Sequence, residues 1–137
     1  MKRSYTRDML DNSDIVRGLY AAFGRGDIPA VLHALASDVR WTEADGFPYR
    51  GTYTGPDAVL QNVIVKLGTE WESFSVAPEE FIVQGDTVVS LGVYRGVYKA
   101  TGKGFKAPFA HIWTLRDGKV VHFRQHTDTA LVQEALR

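Results

Sequence analysis

No cysteine occurs among the 137 residues of this chain, which excludes disulfides, thiolate metal ligands and thiol nucleophiles together. An excess of charge is missing as well, because 16 Lys and Arg balance 16 Asp and Glu. Such a balance creates no strong field toward phosphate backbones or anionic lipids, so we expect neither nucleic acid nor a membrane as a partner. No apolar run follows the basic start at Lys2 and Arg3, and we therefore expect a cytoplasmic protein without a signal sequence.

The composition that remains is sufficient for one folded domain. Hydrophobic residues make up 45% of the chain and charged residues 23%, and both fractions are typical of globular proteins. A chain of this length buries about 68–70% of the surface that it exposes when unfolded. We predict a single domain over residues 1–137, in which residues 1–11 form a frayed leader.

The spacing of apolar residues changes from helical to strand-like along the chain, near Trp71. Before that point, the pattern predicts, in order, a helix from an N-cap at Ser13 to Gly24, a helix from a cap at Asp27 to Leu35, a strand through Trp41, a loop over 45–55 and a helix from Pro56 to Gly68. After it, the pattern predicts strands over 72–76, 80–84, 87–98 and 105–115, a further strand beyond Gly118, and a short helix capped by Asp128 or Thr127. Helices followed by strands with short connections indicate an α+β domain, in which helices pack on one face of a curved antiparallel sheet.

Three of these strands each carry one polar side chain on a face that is otherwise apolar. The three residues are Glu43, His111 and Gln125, and each lies two positions from an aromatic residue of the same face. Burying such groups without partners costs about 1–3 kcal/mol each, and more if they are charged. We therefore expect them to contact one another, water or a ligand.

The register of the last hairpin decides whether these polar residues meet. A two-residue turn at Asp117 and Gly118 would place His111 opposite Arg124, and the apolar faces of the two strands would then point in opposite directions. A three-residue loop over 116–118, with Gly118 in the left-handed conformation, instead places His111 beside Phe123 and close to Gln125. We predict the longer loop.

Each polar residue has a functional and a structural interpretation. Glu43 is a general base if burial beside Trp41 raises its pKa, or a solvent-facing residue if the strand ends there. His111 either donates a hydrogen bond to a developing oxyanion or shuttles a proton, or it is a hydrogen-bonded core residue. Gln125 does not titrate usefully, so it is expected to orient a substrate.

Aromatic residues are numerous enough to line a pocket for a flat apolar molecule, or to form the core. The candidates for the pocket wall are Tyr20, Trp41, Phe81, Tyr94, Phe109, Trp113 and Phe123. Asp128 either reaches this pocket or caps the last helix. His122 and His126 lie on a strand, where four residues separate them by about 13 Å, so no shared metal ion is expected, and no other cofactor is required.

The order of Gly26-Asp27, Asp38-Val39-Arg40-Trp41, Gly55-Pro56 and Gly85-Asp86, followed by residues 113–127, resembles the SnoaL-like group of the superfamily of ketosteroid isomerase and nuclear transport factor two. The resemblance covers nearly the entire chain, and it is strongest over 107–113 and 123–130. It implies a cone-shaped, barrel-like α+β fold. In that fold a strongly bent antiparallel or mixed sheet wraps around the N-terminal helices and leaves a pocket open at one end.

The resemblance also implies roles for single residues. Glu43 falls where ketosteroid isomerases place their aspartate base, and His111 falls where they place a protonated aspartate in the oxyanion hole. The tyrosine of that oxyanion hole matches Leu19, with Tyr20 one position later and rotated by about 100 degrees on the helix. This departure argues against steroid isomerisation as the reaction.

The leading hypothesis is a small-molecule enzyme that uses isomerase-, cyclase- or hydrolase-like general acid/base chemistry on a compact apolar ligand with a carbonyl. Glu43 would take a proton, His111 would stabilise the oxygen and Gln125 would orient the substrate. The alternatives are a noncatalytic ligand-binding module and a dimerisation module. The outward face that would form a homodimer carries Ile112, Thr114, His122, Arg124 and His126.

Overall fold

A six-stranded sheet forms the body of the molecule in the computed structural model, which describes residues 11–137. The helices are α1 Asn12–Gly24, α2 Ile28–His33, α3 Pro56–Val59, α4 Val65–Glu70 and α5 Thr129–Ala135, and a π-helical segment, Leu60–Ile64, joins α3 to α4. The strands are β1 Leu35–Glu43, β2 Gly51–Thr54, β3 Trp71–Gln84, β4 Thr87–Tyr98, β5 Gly104–Arg116 and β6 Lys119–Thr127. The α+β class predicted from the sequence is confirmed.

The strands lie in the order β2-β1-β6-β5-β4-β3, and the sheet is mixed. Neighbouring strands are antiparallel except for β1 and β6, which run parallel. The sheet is curled but not closed, because β2 and β3 remain at its two edges. Gly92 permits close packing on the inner face because it has no side chain. A Cβ atom there would clash, since it would lie 2.6 Å from the ring of Phe109 and 2.2 Å from the carbonyl oxygen of Ala77.

The helices cover the inner face of the sheet. Helix α1 packs against β3 and β4, α3 packs against β1, and α5 packs against β5. The side chains between them form one hydrophobic core, in which Val16, Val39 and Trp113 are almost fully buried. Among residues 11–137, no helix is both long and apolar enough to cross a membrane.

The capping residues were predicted correctly at two of three helices. Asp27 caps α2 by accepting a hydrogen bond from the Ala30 backbone N–H, and Asp128 caps α5 in the same way. The prediction of Ser13 as the first cap is wrong, because the carboxylate of Asp11 accepts from the backbone N–H of Asp14 at 2.9 Å. Asp11 is thus part of the helix terminus, and the rest of the predicted leader, residues 1–10, lies outside the described residues.

Four element boundaries differ from the prediction. Helix α2 ends at His33, and Leu35 is instead the buried first residue of β1. The predicted loop over 45–55 contains strand β2, whose four residues are too few to show a period in the sequence. The helical stretch continues through Gly68 to Glu70, and the two strands predicted over 72–76 and 80–84 are one strand, β3, with a bulge between Pro78 and Glu80.

The last hairpin has the two-residue turn that the prediction rejected. Arg116 pairs with Lys119, and both turn residues have positive φ, 53° at Asp117 and 79° at Gly118. The prediction of a three-residue loop is therefore wrong, although Gly118 is left-handed as expected. A bulge restores the register, because the pairing passes from Leu115 with Val120 to Thr114 with His122 and leaves Val121 unpaired. His111 consequently lies opposite Gln125.

Candidate active site

Four buried polar residues form a row across the inner face of the sheet. They are Glu43 on β1, Gln125 on β6, His111 on β5 and Ser90 on β4, each no more than 4% exposed. His111 pairs with Gln125 on one side and with Ser90 on the other, and Glu43 is one position beyond the pairing of β1 with β6 at Thr42. Because adjacent strands lie about 4.8 Å apart, this row brings residues distant in sequence within reach of one another.

The alternation of side chains along each strand explains why the row is buried. In β1, Val39, Trp41 and Glu43 are buried while Arg40 is exposed, so Glu43 faces the interior as predicted. The same alternation applies to His111 and Gln125. Ser90 was not predicted, although it lies between the inward-facing Val88 and Tyr94 of β4 and the same period identifies it.

His111 is hydrogen-bonded at both ring nitrogens. Its Nδ1 lies 2.5 Å from the hydroxyl of Tyr20, and its Nε2 lies 2.5 Å from the hydroxyl of Tyr94. Burial, together with a smaller effect of His126, holds the pKa of His111 well below its ordinary value of 6.5. The ring is therefore neutral at physiological pH, with one nitrogen donating and the other accepting.

The two tyrosines connect His111 to both ends of the row. The hydroxyl of Tyr20 also lies 2.5 Å from Ser90 Oγ, which accepts a hydrogen bond from Trp113 Nε1 at 3.0 Å. At the other end, Gln125 Nε2 donates to the hydroxyl of Tyr94 at 3.0 Å. Both tyrosines have pKa values raised above 10, and burial is the main cause in each. They remain protonated throughout the physiological range.

Gln125 fixes the position of Glu43 relative to this chain of hydrogen bonds. Its Oε1 accepts a hydrogen bond from the backbone N–H of Ala44 at 3.0 Å, while its Nε2 reaches Tyr94. The residue after Glu43 is thereby tied to the same amide that supports Tyr94. This orienting role was predicted for a substrate, and in the structure it is fulfilled between protein groups.

Glu43 is a buried carboxyl with one hydrogen-bond partner among residues 11–137. Trp41 Nε1 donates to Glu43 Oε2 at 2.8 Å. Burial raises the pKa of Glu43 to about 8, and the hydrogen bond from Trp41 offsets part of this rise. A carboxyl with this pKa is mostly protonated at neutral pH. It gains and loses its proton readily near neutral pH, which is the property of a general acid or base.

A small cavity of about 60 Å³ lies next to the row. Glu43, His111 and Gln125 are its polar lining residues. The other lining residues are apolar or aromatic and come from all parts of the chain: Leu19, Tyr20, Phe23, Val31, Trp41, Phe47, Val63, Ile64, Leu67, Phe74, Val76, Tyr94, Trp113 and Phe123. Such a volume holds a few water molecules, since each needs about 10–15 Å³ on this scale.

Most of the residues predicted for the site share this cavity, and three do not line it. Tyr20, Trp41, Tyr94, Trp113 and Phe123 are in its wall together with the three polar residues. Phe109 is buried behind the wall, where its ring stacks on His111 at 4.1 Å between centroids and on Tyr20 at 6.3 Å. Phe81 contacts the edge of Tyr20, also outside the lining. Asp128 is exposed and caps α5, so its structural interpretation applies.

Several wall residues were not found from the sequence. Val63 and Ile64 belong to the π-helical segment, Phe47 belongs to the loop before β2, and Phe74 belongs to β3. Their apolar character alone does not distinguish them from core residues, because the cavity continues into the core. Among residues 11–137, no group of three or more His, Asp or Glu side chains is arranged to hold a metal ion.

Comparisons with known proteins agree with this geometry. A family model described as the SnoaL-like domain matches residues 16–123. The structure of an NTF2-like protein from Burkholderia thailandensis is 42% identical, with a TM-score of 0.87, and the match covers 90% of this chain and 95% of that one. An NTF2-like protein of unknown function from Burkholderia pseudomallei is 38% identical, with a TM-score of 0.84 and the same coverage of both chains.

A third structure is that of TerC co-crystallised with polyporic acid. TerC is 30% identical to this chain with a TM-score of 0.83, and the match covers 91% of this chain and 97% of TerC. A comparison with curated proteins finds no significant match.

Proposed function

Because the chain belongs to the SnoaL-like domain family, we propose that it is a small-molecule enzyme that moves a proton on a compact apolar ligand with a carbonyl group. One observation carries this proposal. Glu43, whose pKa is raised to about 8 by burial, opens onto the same aromatic cavity as the hydrogen-bonded row of His111 and Gln125. A base and a set of hydrogen-bond donors around one cavity are the two parts that proton abstraction next to a carbonyl needs.

In the proposed reaction, the ionised Glu43 removes a proton from the carbon next to the carbonyl. The electron pair of that C–H bond forms a carbon–carbon double bond, and the π pair of the carbonyl moves onto its oxygen, which is stabilised by a hydrogen bond from the row. The protonated Glu43 then returns the proton to the same carbon or to another one. With a pKa of about 8, roughly a tenth of Glu43 is ionised at pH 7, and this fraction rises with pH.

His111 acts on the oxygen through its tyrosine partners in this proposal. Both of its ring nitrogens are already hydrogen-bonded, to Tyr20 and to Tyr94. The aromatic wall of the cavity suits a flat apolar ligand. The co-crystal of TerC with polyporic acid supports a small organic molecule as the ligand.

The proposal is tested by proton exchange, which requires no knowledge of the natural substrate. Small ketones such as acetophenone are incubated with the protein in D2O, and loss of the proton signal next to the carbonyl is followed by NMR. We expect exchange that falls by about 10²- to 10⁴-fold in Glu43→Gln, because the amide cannot accept the proton. Glu70→Gln is the matched control, since Glu70 contacts Tyr49 outside the cavity. Equal exchange by the wild type and Glu43→Gln would disprove the proposal.

A noncatalytic ligand-binding module is the second candidate. It is favoured by one observation: within residues 11–137, every buried side-chain nitrogen and oxygen atom has a hydrogen-bond partner without a ligand. The affinity for polyporic acid, the compound co-crystallised with TerC, can be measured by calorimetry whether the protein is an enzyme or a binding module. In a module of this class, Glu43→Gln and His111→Ala change affinity only, because there is no turnover to lose.

We also propose that the outward face of β5 and β6 forms a homodimer contact. Arg124 and His126 are exposed there, while Ile112, Thr114 and His122 are partly buried. This mixture of apolar and hydrogen-bonding side chains on a broad sheet face suits a self-complementary interface. Sedimentation equilibrium at micromolar concentration should give the mass of two chains, and Ile112→Asp should give the mass of one. A wild-type protein that sediments as a monomer would contradict this proposal.

A further inference from the structure

The hydrogens along the hydrogen-bonded chain from Ser90 to Tyr94 show which group is free to contact a ligand. Three hydrogen bonds, each 2.5 Å long, join four groups in the order Ser90, Tyr20, His111 and Tyr94. Each of the four carries one exchangeable hydrogen, since His111 is neutral. Four hydrogens serve three bonds, so one hydrogen has no place within the chain and must point out of it.

The two ends of the chain are fixed by groups that can only donate. The indole N–H of Trp113 donates to Ser90 Oγ. At the other end, the backbone N–H of Ala44 requires an acceptor, so Gln125 turns its Oε1 to Ala44 and its amide N–H to the hydroxyl of Tyr94. Neither Trp113 nor Gln125 can therefore accept the surplus hydrogen.

The remaining positions for the surplus hydrogen are unequal. His111 is excluded, because its single N–H lies at a nitrogen that is already bonded to a tyrosine. Ser90 is completely buried, and its described partners are Tyr20 and Trp113, so its hydrogen would have no acceptor among residues 11–137. Tyr20 also lines the cavity, but its hydroxyl lies between Ser90 and His111, at the end of the row away from Glu43, where the described residues offer its hydrogen no acceptor. An unpaired buried donor is unfavourable at either position.

Tyr94 is the position at which the surplus hydrogen has somewhere to go. Its side chain lines the cavity together with Glu43. Tyr94 lies at the Glu43 end of the row, since Gln125 donates to its hydroxyl and accepts from the backbone N–H of Ala44. The charge of Glu43 accordingly contributes, after burial, to the raised pKa of Tyr94. With the hydrogen there, Ser90 donates to Tyr20, Tyr20 donates to His111 Nδ1, and His111 Nε2 donates to Tyr94. Each of the other three hydrogens of the chain from Ser90 to Tyr94 then has an acceptor.

We infer that Tyr94 is the catalytic residue that donates a hydrogen bond to the ligand oxygen, while His111, Tyr20 and Ser90 are positioning residues that hold the tyrosine. This inference rests on the proposed function for its chemistry and specifies the ligand atom as a carbonyl or enolate oxygen. The Tyr94 oxygen accepts from both His111 and Gln125, and these two bonds polarise its O–H toward the cavity. The group that meets the ligand oxygen is therefore a tyrosine hydroxyl and not the imidazole.

The first test measures the tautomer of His111 in the wild-type protein, without a ligand. In protein with ¹⁵N-labelled histidine, two-bond ¹⁵N–¹H correlations show which ring nitrogen is protonated, and contacts to the rings of Tyr20 and Tyr94 assign the signal. We expect the hydrogen at Nε2 and a bare Nδ1 at pH 7. A hydrogen at Nδ1 would reverse the direction of the chain and overturn the inference, whether or not the protein is an enzyme.

The second test uses 4-fluorophenol as a probe whose hydroxyl oxygen imitates that of an enol, with ¹⁹F NMR as the readout at pH 8. Tyr94→Phe should weaken binding by about 3- to 10-fold, because a hydrogen bond to the phenol oxygen is lost. Tyr98→Phe is the matched control, since Tyr98 packs on Trp71 outside the cavity, and it should leave binding unchanged. Binding that survives Tyr94→Phe in a folded variant would overturn the inference.

The same variants separate this inference from the proposed function. If ketone exchange depends on Glu43 but is unaffected by Tyr94→Phe, proton abstraction stands and the assignment of Tyr94 fails. If exchange is absent from the wild type while the Nε2 tautomer and the Tyr94-dependent binding of 4-fluorophenol are found, the assignment of Tyr94 stands and the proposed reaction fails. If wild-type exchange, the Nε2 tautomer and the Tyr94-dependent binding are all found, ketone exchange in Tyr94→Phe should be about 10²- to 10³-fold slower than in the wild type.

Discussion

Trp41 controls the acidity of Glu43 through a single hydrogen bond. Its indole N–H lies 2.8 Å from Glu43 Oε2, and a bond of this kind stabilises the ionised carboxyl more than the neutral one. Burial alone would place the pKa of Glu43 higher than the value of about 8. The indole is thus part of the acid/base apparatus as well as part of the wall.

We predict that Trp41→Phe raises the pKa of Glu43 by about one unit, because the hydrogen bond is lost while the burial remains. The measurement is a titration of the Glu43 carboxyl carbon by ¹³C NMR, which does not depend on turnover. Trp113→Phe is the control, since the Trp113 indole donates to Ser90 and should leave the Glu43 titration in place. An unchanged or lowered pKa in Trp41→Phe would contradict the prediction.

At this scale, the sequence predicts which side chains face inward but not what they bond to. The alternation along β1, β5 and β6 was sufficient to place Glu43, His111 and Gln125 on the inner face, and the structure confirms that placement. The partners of His111 could not be predicted, because Tyr20 precedes it by 91 residues and Tyr94 by 17. Contacts of that range depend on the packing of α1 over the sheet, for which a single sequence carries no signal.

At the scale of elements, the unpaired Val121 in β6 determines which residues enter the cavity. The two-residue turn at Asp117 and Gly118 fixes one register, and the bulge at Val121 changes it by one position. A shift of one residue turns every following side chain to the opposite face of the sheet. If Val121 were paired with Thr114 in a regular strand, Phe123 and Gln125 would point outward and Arg124 would point into the core.

We predict that deletion of Val121 leaves cooperative folding intact, because the pairing of Leu115 with Val120 then passes directly to that of Thr114 with His122, and Phe123 still faces the core. Thermal unfolding followed by near-ultraviolet circular dichroism is the measurement. The control Val121→Ala keeps the extra residue of the bulge. It removes two half-buried methyl groups, which lowers the free energy of unfolding by about 1 kcal/mol. A deletion variant that loses its cooperative transition, while Val121→Ala keeps it, would contradict the prediction.

The error in the hairpin shows why elements were predicted better than their registers. The strand bounds 87–98 agree with β4, and those of 105–115 differ from β5 by one residue at each end. The prediction also found that His111 and Gln125 must be near one another, but it placed the extra residue in the loop. Hydrophobic alternation requires one extra residue in the hairpin, and it does not say whether the turn or the strand contains it.

At the scale of the whole molecule, two buried groups make the stability depend on pH in opposite directions. The pKa of Glu43 is about 8 in the folded protein and 4.5 ordinarily. Between these values the folded protein binds a proton that the unfolded chain has released, so the free energy of unfolding falls as pH rises from 4.5 to 8. The pKa of His111 is lowered by burial, so below pH 6.5 the unfolded chain binds the extra proton, and the free energy of unfolding falls as pH decreases.

We predict that urea unfolding gives the greatest stability between about pH 4.5 and 6.5, where the two effects offset each other, with a loss on the order of a few kcal/mol by pH 9. Glu43→Gln should abolish the alkaline loss, because the amide needs no proton in order to be buried. Asp57→Asn, a change at an exposed carboxyl, is the control and should retain the alkaline loss. A wild-type stability that is constant from pH 6 to 9 would contradict the burial of a neutral Glu43.

The parallel pairing of β1 with β6 also sets the moment during translation at which this interior can form. Ala44 and Gln125, which tie the two strands together, are 81 residues apart, so β1 leaves the ribosome long before its partner has been made. Until then, one edge of β1 is uncovered and the carboxyl of Glu43 remains hydrated. A nascent chain halted short of residue 125 would therefore expose an unpaired strand edge and a hydrated, ionised Glu43. Chaperones would encounter these residues before any ligand does.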